Sequence, residues 1–143
     1  MRSDSLRFIV DLFKTLAHPV RLRILALLRD GELCVCQIKA VIGLPTSTIS
    51  EHLTHLRRAG VLEERKEGRW VYYTLQPRPE VEGQVAALWS QLMGADLVLQ
   101  DTTTAREIRR IPVEVTCLAS KTCRFPSKAT LGPVRGSREE TLP

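Results

Sequence analysis

The chain has 143 residues, 43% of them hydrophobic and 5% aromatic, so Leu, Ile and Val must pack one ordinary core, and the length is short for two domains. A formal charge of +5 favours an anionic partner such as nucleic acid. Arg2, Asp4, Arg7, Asp11 and Lys14 interrupt the first 17 residues, which leaves no signal-peptide core, and no apolar run of 18 residues is present to span a membrane. A cytoplasmic protein without a membrane partner is expected, its four cysteines reduced rather than paired in two disulfides.

Leu6, Ile9, Val10, Phe13, Leu16 and Ala17 recur at helical spacing after Ser3 or Asp4, which can cap the start. A second helix opens at Pro19, where a missing N–H costs nothing, and runs to about Arg29 with Val20, Ile24, Leu27 and Leu28 inward. From Cys34 to Ile42, Val35, Ile38, Val41 and Ile42 form a further stripe, broken at Gly43-Leu44-Pro45. Thr46 to Ala59 gives the clearest helix, with Ile49, Leu53 and Leu56 inward and Gly60 placed for a left-handed cap. Two short helices joined by a tight glycine-containing turn predict a helix-turn-helix. Val61–Arg65 and Arg69–Leu75 then read as the strands of a hairpin around Lys66-Glu67-Gly68.

After Pro77 and Pro79 a long helix is expected over roughly Glu80–Leu99, with Val81, Val85, Leu88, Trp89, Leu92 and Met93 on one side. That stripe, with the first helix, is the natural dimer surface; the alternative is that it is core. Beyond Asp101 a short charged helix at Ala105–Ile111 and a mostly irregular tail are expected. The expected fold is therefore mainly α with a small β-hairpin, a winged helix-turn-helix dimeric through its first and last long helices. Residues 1–100 form the DNA-binding and dimerisation domain, and residues 101–143 a C-terminal extension with two cysteines.

Small hydroxyl residues at the front of a recognition helix approach base edges and phosphates closely, and the helix N-terminus favours a phosphate. Thr46, Ser47, Thr48 and Ser50 stand there, with His52 and His55 behind as donors to phosphate or base acceptors. Arg65, Lys66 and Arg69 surround the hairpin turn and can straddle phosphates of the next minor groove. Taken singly each is an ordinary surface residue; as an ordered set of turn, hydroxyl-rich helix and basic hairpin they read as a DNA-binding face. His18, before Pro19, reads as a residue of the helix start rather than a base contact.

Four stretches carry a resemblance to the ArsR/SmtB metalloregulators: Leu16-Ala17-His18-Pro19-Val20-Arg21-Leu22-Arg23-Ile24-Leu25, Glu32-Leu33-Cys34-Val35-Cys36, Ser47-Thr48-Ile49-Ser50-Glu51-His52-Leu53 and Glu67-Gly68-Arg69-Trp70-Val71-Tyr72-Tyr73. It covers about residues 5–100. The resemblance implies a homodimeric winged-helix repressor, not an enzyme, that binds an inverted-repeat operator in double-stranded DNA and is released by metal or metalloid ions. Glu-Leu-Cys-Val-Cys resembles the arsenite-responsive members, which implies arsenite or antimonite as inducer and Cys34 and Cys36 as ligands. Their third thiol often follows shortly; here Lys39 stands where one would look, so Cys117 is the candidate third ligand, with Cys123 as substitute, from the same chain or the partner. The family's zinc sites on the last helix need His and carboxylates, and His18, His52 and His55 all lie elsewhere, so none is expected there.

Thiolates select soft ions, and a helix N-terminus lowers a thiol pKa. In a regular helix, positions i and i+2 point about 200° apart. Cys34 and Cys36 therefore converge only if Cys34 precedes the first turn or if binding pulls that turn open and shifts the recognition helix. Two other readings remain. The dithiol could sense oxidants, persulfides or a heavy ion such as cadmium or lead, or the winged helix could be a protein-interaction module with charge serving solubility.

Overall fold

The computed structural model describes the backbone of residues 2–120 and the side chains of residues 4–117. In chain order it has α1 (Arg2–Leu16), α2 (Pro19–Arg29), β1 (Leu33–Cys34), α3 (Val35–Ile42), α4 (Thr46–Arg58), β2 (Leu62–Glu67), β3 (Trp70–Leu75), α5 (Pro79–Ala86), α6 (Trp89–Leu92), α7 (Asp96–Arg109) and α8 (Val113–Ser120). No helix among the described residues is long and apolar enough to cross a membrane.

The helix-turn-helix forms because each local signal agrees with the core. Val20 N–H donates to the Nδ1 of His18 at 3.1 Å, so His18 caps α2. Gly43 ends α3 at φ +84°, donating to the Lys39 carbonyl at 2.8 Å, and Gly60 follows α4 at φ +82°. A Cβ on Gly60 would meet only the flexible Arg78 side chain, at 3.0 Å from its Cδ, so it is the positive φ that asks for glycine. Ile49, Leu53 and Leu56 of α4 are fully buried against Ile24, Leu25, Leu28 and Ile38 in one cluster. Truncating a side chain such as Leu53 to Ala costs about 3 kcal/mol in so closed a site.

The winged hairpin is present in the register Leu62↔Leu75 to Glu67↔Trp70, turning through Gly68 and Arg69. It carries an addition: β1 pairs antiparallel with β3, Leu33↔Tyr73 and Cys34↔Tyr72, giving the sheet order β1-β3-β2. A two-residue strand has no periodicity of its own to read; its partner creates it.

The long helix expected over Glu80–Leu99 is instead three pieces. The chain turns at residues 87–88, and Ala95 after Gly94 is extended at φ −81°, ψ 133°. The break lets short rods wrap the core. Val81 and Val85 are buried within it and Leu88 and Trp89 pack partly buried against it, whereas Leu92 and Met93 lie outside that cluster, so only the first half of the stripe is core. The region after Asp101, expected to be mostly irregular, is helical as far as the structure describes it. Helix α7 crosses residue 100 and turns Val98, Asp101, Thr102 and Ala105 inward. Two polar residues in that stripe hid it from a count of apolar positions. Asp101 accepts both Nε and Nη2 of Arg23 on α2 at 2.7 and 3.0 Å, which lifts the Arg23 guanidinium further above its ordinary pKa, burial opposing. Arg109 donates to the carbonyls of Leu27 and Gly31 at 3.2 and 2.8 Å, closing the C-terminal end of α2. These bonds fix α7 and, through the turn at Pro112, place α8 on α3.

Candidate thiol centre and nucleic-acid face

Cys34 is not part of the helix. It ends β1 in extended backbone, φ −92° and ψ 169°, and α3 begins at the next residue. The opposition of i and i+2 in a regular helix therefore does not apply, and the first turn need not open for Cys34 and Cys36 to converge. Helix α8 adds Cys117, and the three sulfurs lie within 4.8 Å of one another, all buried. Of the two candidates for a third sulfur, Cys117 lies beside the pair, and Cys123 is outside the described residues.

Cys36 and Cys117 are joined as a disulfide with Cα atoms 5.3 Å apart, and Cys34 is a free thiol beside it. This corrects the expectation of reduced thiols throughout. The reason is the docking of α8 on α3, which brings two cysteines 81 residues apart within bridging distance.

The three cysteines are packed against Trp70, Tyr72 and Val113. Trp70 and Tyr72 share one face of β3 through the two-residue period of a strand. The Trp70 Nε1–H donates to Cys117 Sγ at 3.1 Å. Below, the Gln37 side-chain oxygen accepts the Cys34 N–H at 2.9 Å and completes a capping box with cysteine in the place of serine. Burial pushes the Cys34 thiol up from its ordinary pKa, and the backbone N–H groups of the first turn, which lower it, do not compensate. The expected lowering at a helix N-terminus is thus present but outweighed. Burial, and then the neighbouring Cys34, also push the Tyr72 hydroxyl up.

The residues expected to meet DNA sit on α4 and the β2–β3 wing, but not equally presented. Ser47 is exposed, while Thr48, Ser50 and His55 are half-buried. The Thr46 hydroxyl is buried and, among the described residues, has no hydrogen-bond partner, so it faces inward. His52 accepts the Arg21 Nε–H on its Nδ1 at 3.1 Å and lies with its ring centroid 4.4 Å from that of His18. Burial, His18 and Arg21 all push its pKa below the usual histidine value, so His52 is held neutral. Lys66 and Arg69 are exposed on the wing. Arg65 is engaged by Glu32 and Glu67 and lies 4.8 Å over the Tyr72 ring; Arg69 lies 5.3 Å over Trp70. Both carboxylates hold the Arg65 guanidinium well above its ordinary pKa.

Gln37, Trp70, Tyr72 and Val113 were not singled out from sequence as parts of the thiol site. The Cys34-x-x-Gln37 spacing was a readable capping signal, and the alternation of Trp70 with Tyr72 marked a shared strand face. Nothing local marked Val113.

Residues 18–64 match the sequence model described as "Bacterial regulatory protein, arsR family". The chain is 44% identical over 85 residues to the arsenic resistance transcriptional regulator ArsR1 of Pseudomonas putida, covering 59% of this chain and 65% of that one. It therefore spans just under two thirds of that regulator. It is 39% identical over 88 residues to the transcriptional activator HlyU of Vibrio cholerae, covering 62% of this chain and 80% of the relative. A solved homodimeric winged helix-turn-helix DNA-binding domain from Mycobacterium bovis superposes with a TM-score of 0.56 at 31% identity, covering 63% of this chain and 82% of that one. The chain belongs to the arsR family of bacterial regulatory proteins, and not to a family of enzymes.

Proposed function

We propose that this protein is a transcriptional repressor that binds operator DNA as a homodimer through α4 and the β2–β3 wing. It lets go when arsenite or antimonite is taken up by Cys34, Cys36 and Cys117 in their reduced form. The observation that carries this reading is the gathering of three buried sulfurs within 4.8 Å at the junction of β1, α3 and α8. Resemblance of the DNA-binding unit to an arsenic resistance regulator and to a homodimeric DNA-binding domain supports it.

The burial of the site favours a metalloid over a divalent cation. Arsenite at neutral pH is the uncharged trihydroxide, and three thiols exchange with its three hydroxyls to give a neutral tris-thiolate and three waters. A divalent ion displaces three protons instead and leaves a net anion in an apolar site, which costs desolvation energy. A raised Cys34 pKa suits the first exchange, since it starts from the protonated thiol. The Cys36–Cys117 disulfide must first take two electrons and two protons from a dithiol reductant.

The test is release of the DNA upstream of the protein's own gene from reduced protein, titrated with arsenite, antimonite, cadmium and hydrogen peroxide. Arsenite and antimonite release it at one equivalent per site, and Cys34→Ser, Cys36→Ser and Cys117→Ser each keep DNA binding but lose release. A Cys34→Ser, Cys36→Ser double variant that still lets go in arsenite sinks the assignment.

The disulfide favours a second reading, in which the same thiols sense an oxidant. Hydrogen peroxide would convert one thiol to a sulfenic acid with loss of water, and the second thiol would displace a further water to form the Cys36–Cys117 bond. Release by peroxide, reversed by dithiol and unaffected by arsenite, selects this reading over the first.

A further inference from the structure

We propose that Trp70 is a positioning residue through which the thiol centre acts on DNA by way of the wing. This rests on the proposed thiol-dependent release. Two contacts argue for it. The indole N–H holds Cys117 Sγ at 3.1 Å, and the face of the same indole seats the Arg69 guanidinium at 5.3 Å. One rigid ring thus touches a sulfur of the site on its edge and a wing arginine on its face.

A parallel connection runs beside it. Cys34 pairs with Tyr72 across β1 and β3, and the Tyr72 ring lies 4.8 Å beneath Arg65, which is held by Glu32 two residues before Cys34. Arg65 and Arg69, the two arginines assigned to wing phosphates, both rest on aromatic rings packed against the thiols. The route to α4 is one of packing alone: α3, which carries Cys36, places Ile38 in the same cluster as Ile49 and Leu53 of α4. Among the described polar contacts of α4, His52 meets Arg21 of α2 and the His18 ring, and Arg57 lies 3.8 Å from Glu64 on β2 of the wing.

Occupancy can bias the wing only by interacting differently with its two arrangements. Trp70 supplies that difference. A Cys117 sulfur drawn into a shared ligand changes both its position and its strength as an acceptor. The indole must then follow the sulfur or lose its bond, and either response moves the seat of Arg69. Phosphate contacts from the wing fix the register of a winged helix on the duplex, so displacing them lowers affinity for every sequence and reduces its salt dependence.

Trp70→Phe keeps a ring for Arg69 and removes the N–H. Reduced Trp70→Phe protein should bind arsenite, read by thiolate–arsenic absorbance, within about threefold of the parent. In saturating arsenite it should hold operator DNA about tenfold more tightly than the parent does. A purely structural role for Trp70 would weaken both together, and release indistinguishable from the parent overturns the proposal. A parent that takes up no arsenite defeats the proposed function instead. Trp70 is then decided without ligand, by a double-mutant cycle of Trp70→Phe and Cys117→Ser on operator affinity. Coupling of about threefold or more supports the contact, and additive effects overturn it.

Discussion

Helix α1 and the pair α7–α8 close over the same core from opposite ends of the chain, and they are fastened to it differently. Helix α1 is held by Leu12 and Leu16 and turns Leu6, Phe8, Ile9, Val10 and Phe13 outward, Leu6 at 64% exposure and Phe13 at 53%. Helix α7 is pinned by directional bonds, the Arg23–Asp101 fork and the Arg109 cap on α2, and α8 by the sulfur bridge to α3. Apolar contact is tolerant of sliding, whereas a forked ion pair fixes distance and angle. The end that must deliver a sulfur to a few ångströms is fixed by geometry. Leu97 and Leu99 of α7 and Val115 of α8 are exposed as well, but the denser apolar face on α1 has the character of a surface awaiting a second copy.

That contrast can be broken at its strongest point first. Asp101→Ala leaves the Arg23 guanidinium half-buried without its partner and should cost about 3 kcal/mol in denaturant unfolding. It should also loosen α7 enough for Cys117 to miss the site, seen as loss of the third thiolate in arsenite absorbance. Unchanged stability would mean that α7 is held by packing alone. Next, Phe13→Glu, on the exposed face, should leave the melting temperature nearly unaltered while sedimentation shows a monomer and operator affinity falls about tenfold. A dimer that survives this change removes α1 from the interface. Arg109→Ala withdraws the donor to two α2 carbonyls and should cost about 1 kcal/mol, without altering the oligomeric state.

The smallest effect concerns pH. His52 has a lowered folded pKa, so the unfolded chain binds the proton more readily. Stability is complete above the ordinary histidine value of 6.5 and declines as pH falls through it. Thermal melts at pH 7.5 and 5.5 should differ by less in His52→Gln than in the parent; an equal difference would place the acid sensitivity elsewhere.

The sequence carried much of the DNA-binding unit because its signals are local. Helix α2 occupies the expected Pro19–Arg29, α4 begins at Thr46 as its spacing implies, Gly60 takes the left-handed cap, and the wing turns at Gly68. The same local reasoning failed where polar residues face inward or where a break is set by what lies beneath. Asp101 and Thr102 disguised α7, and the apolar stripe from Val81 to Met93 looked continuous although the chain bends twice along it and buries only Val81 and Val85 fully.

By itself the sequence determined a winged helix-turn-helix with a Cys34-Val35-Cys36 pair ahead of its reading unit, because helix period, caps and turn residues act over a few positions. Only the tertiary structure decided that Cys34 is strand rather than helix, that Cys117 meets the pair from 81 residues away, and that Trp70 joins that sulfur to the wing. Those facts depend on helix docking and strand pairing between distant segments; the Cys34-x-x-Gln37 spacing marks a helix start, but no local pattern gives Cys34 its strand partner or brings Cys117 to it.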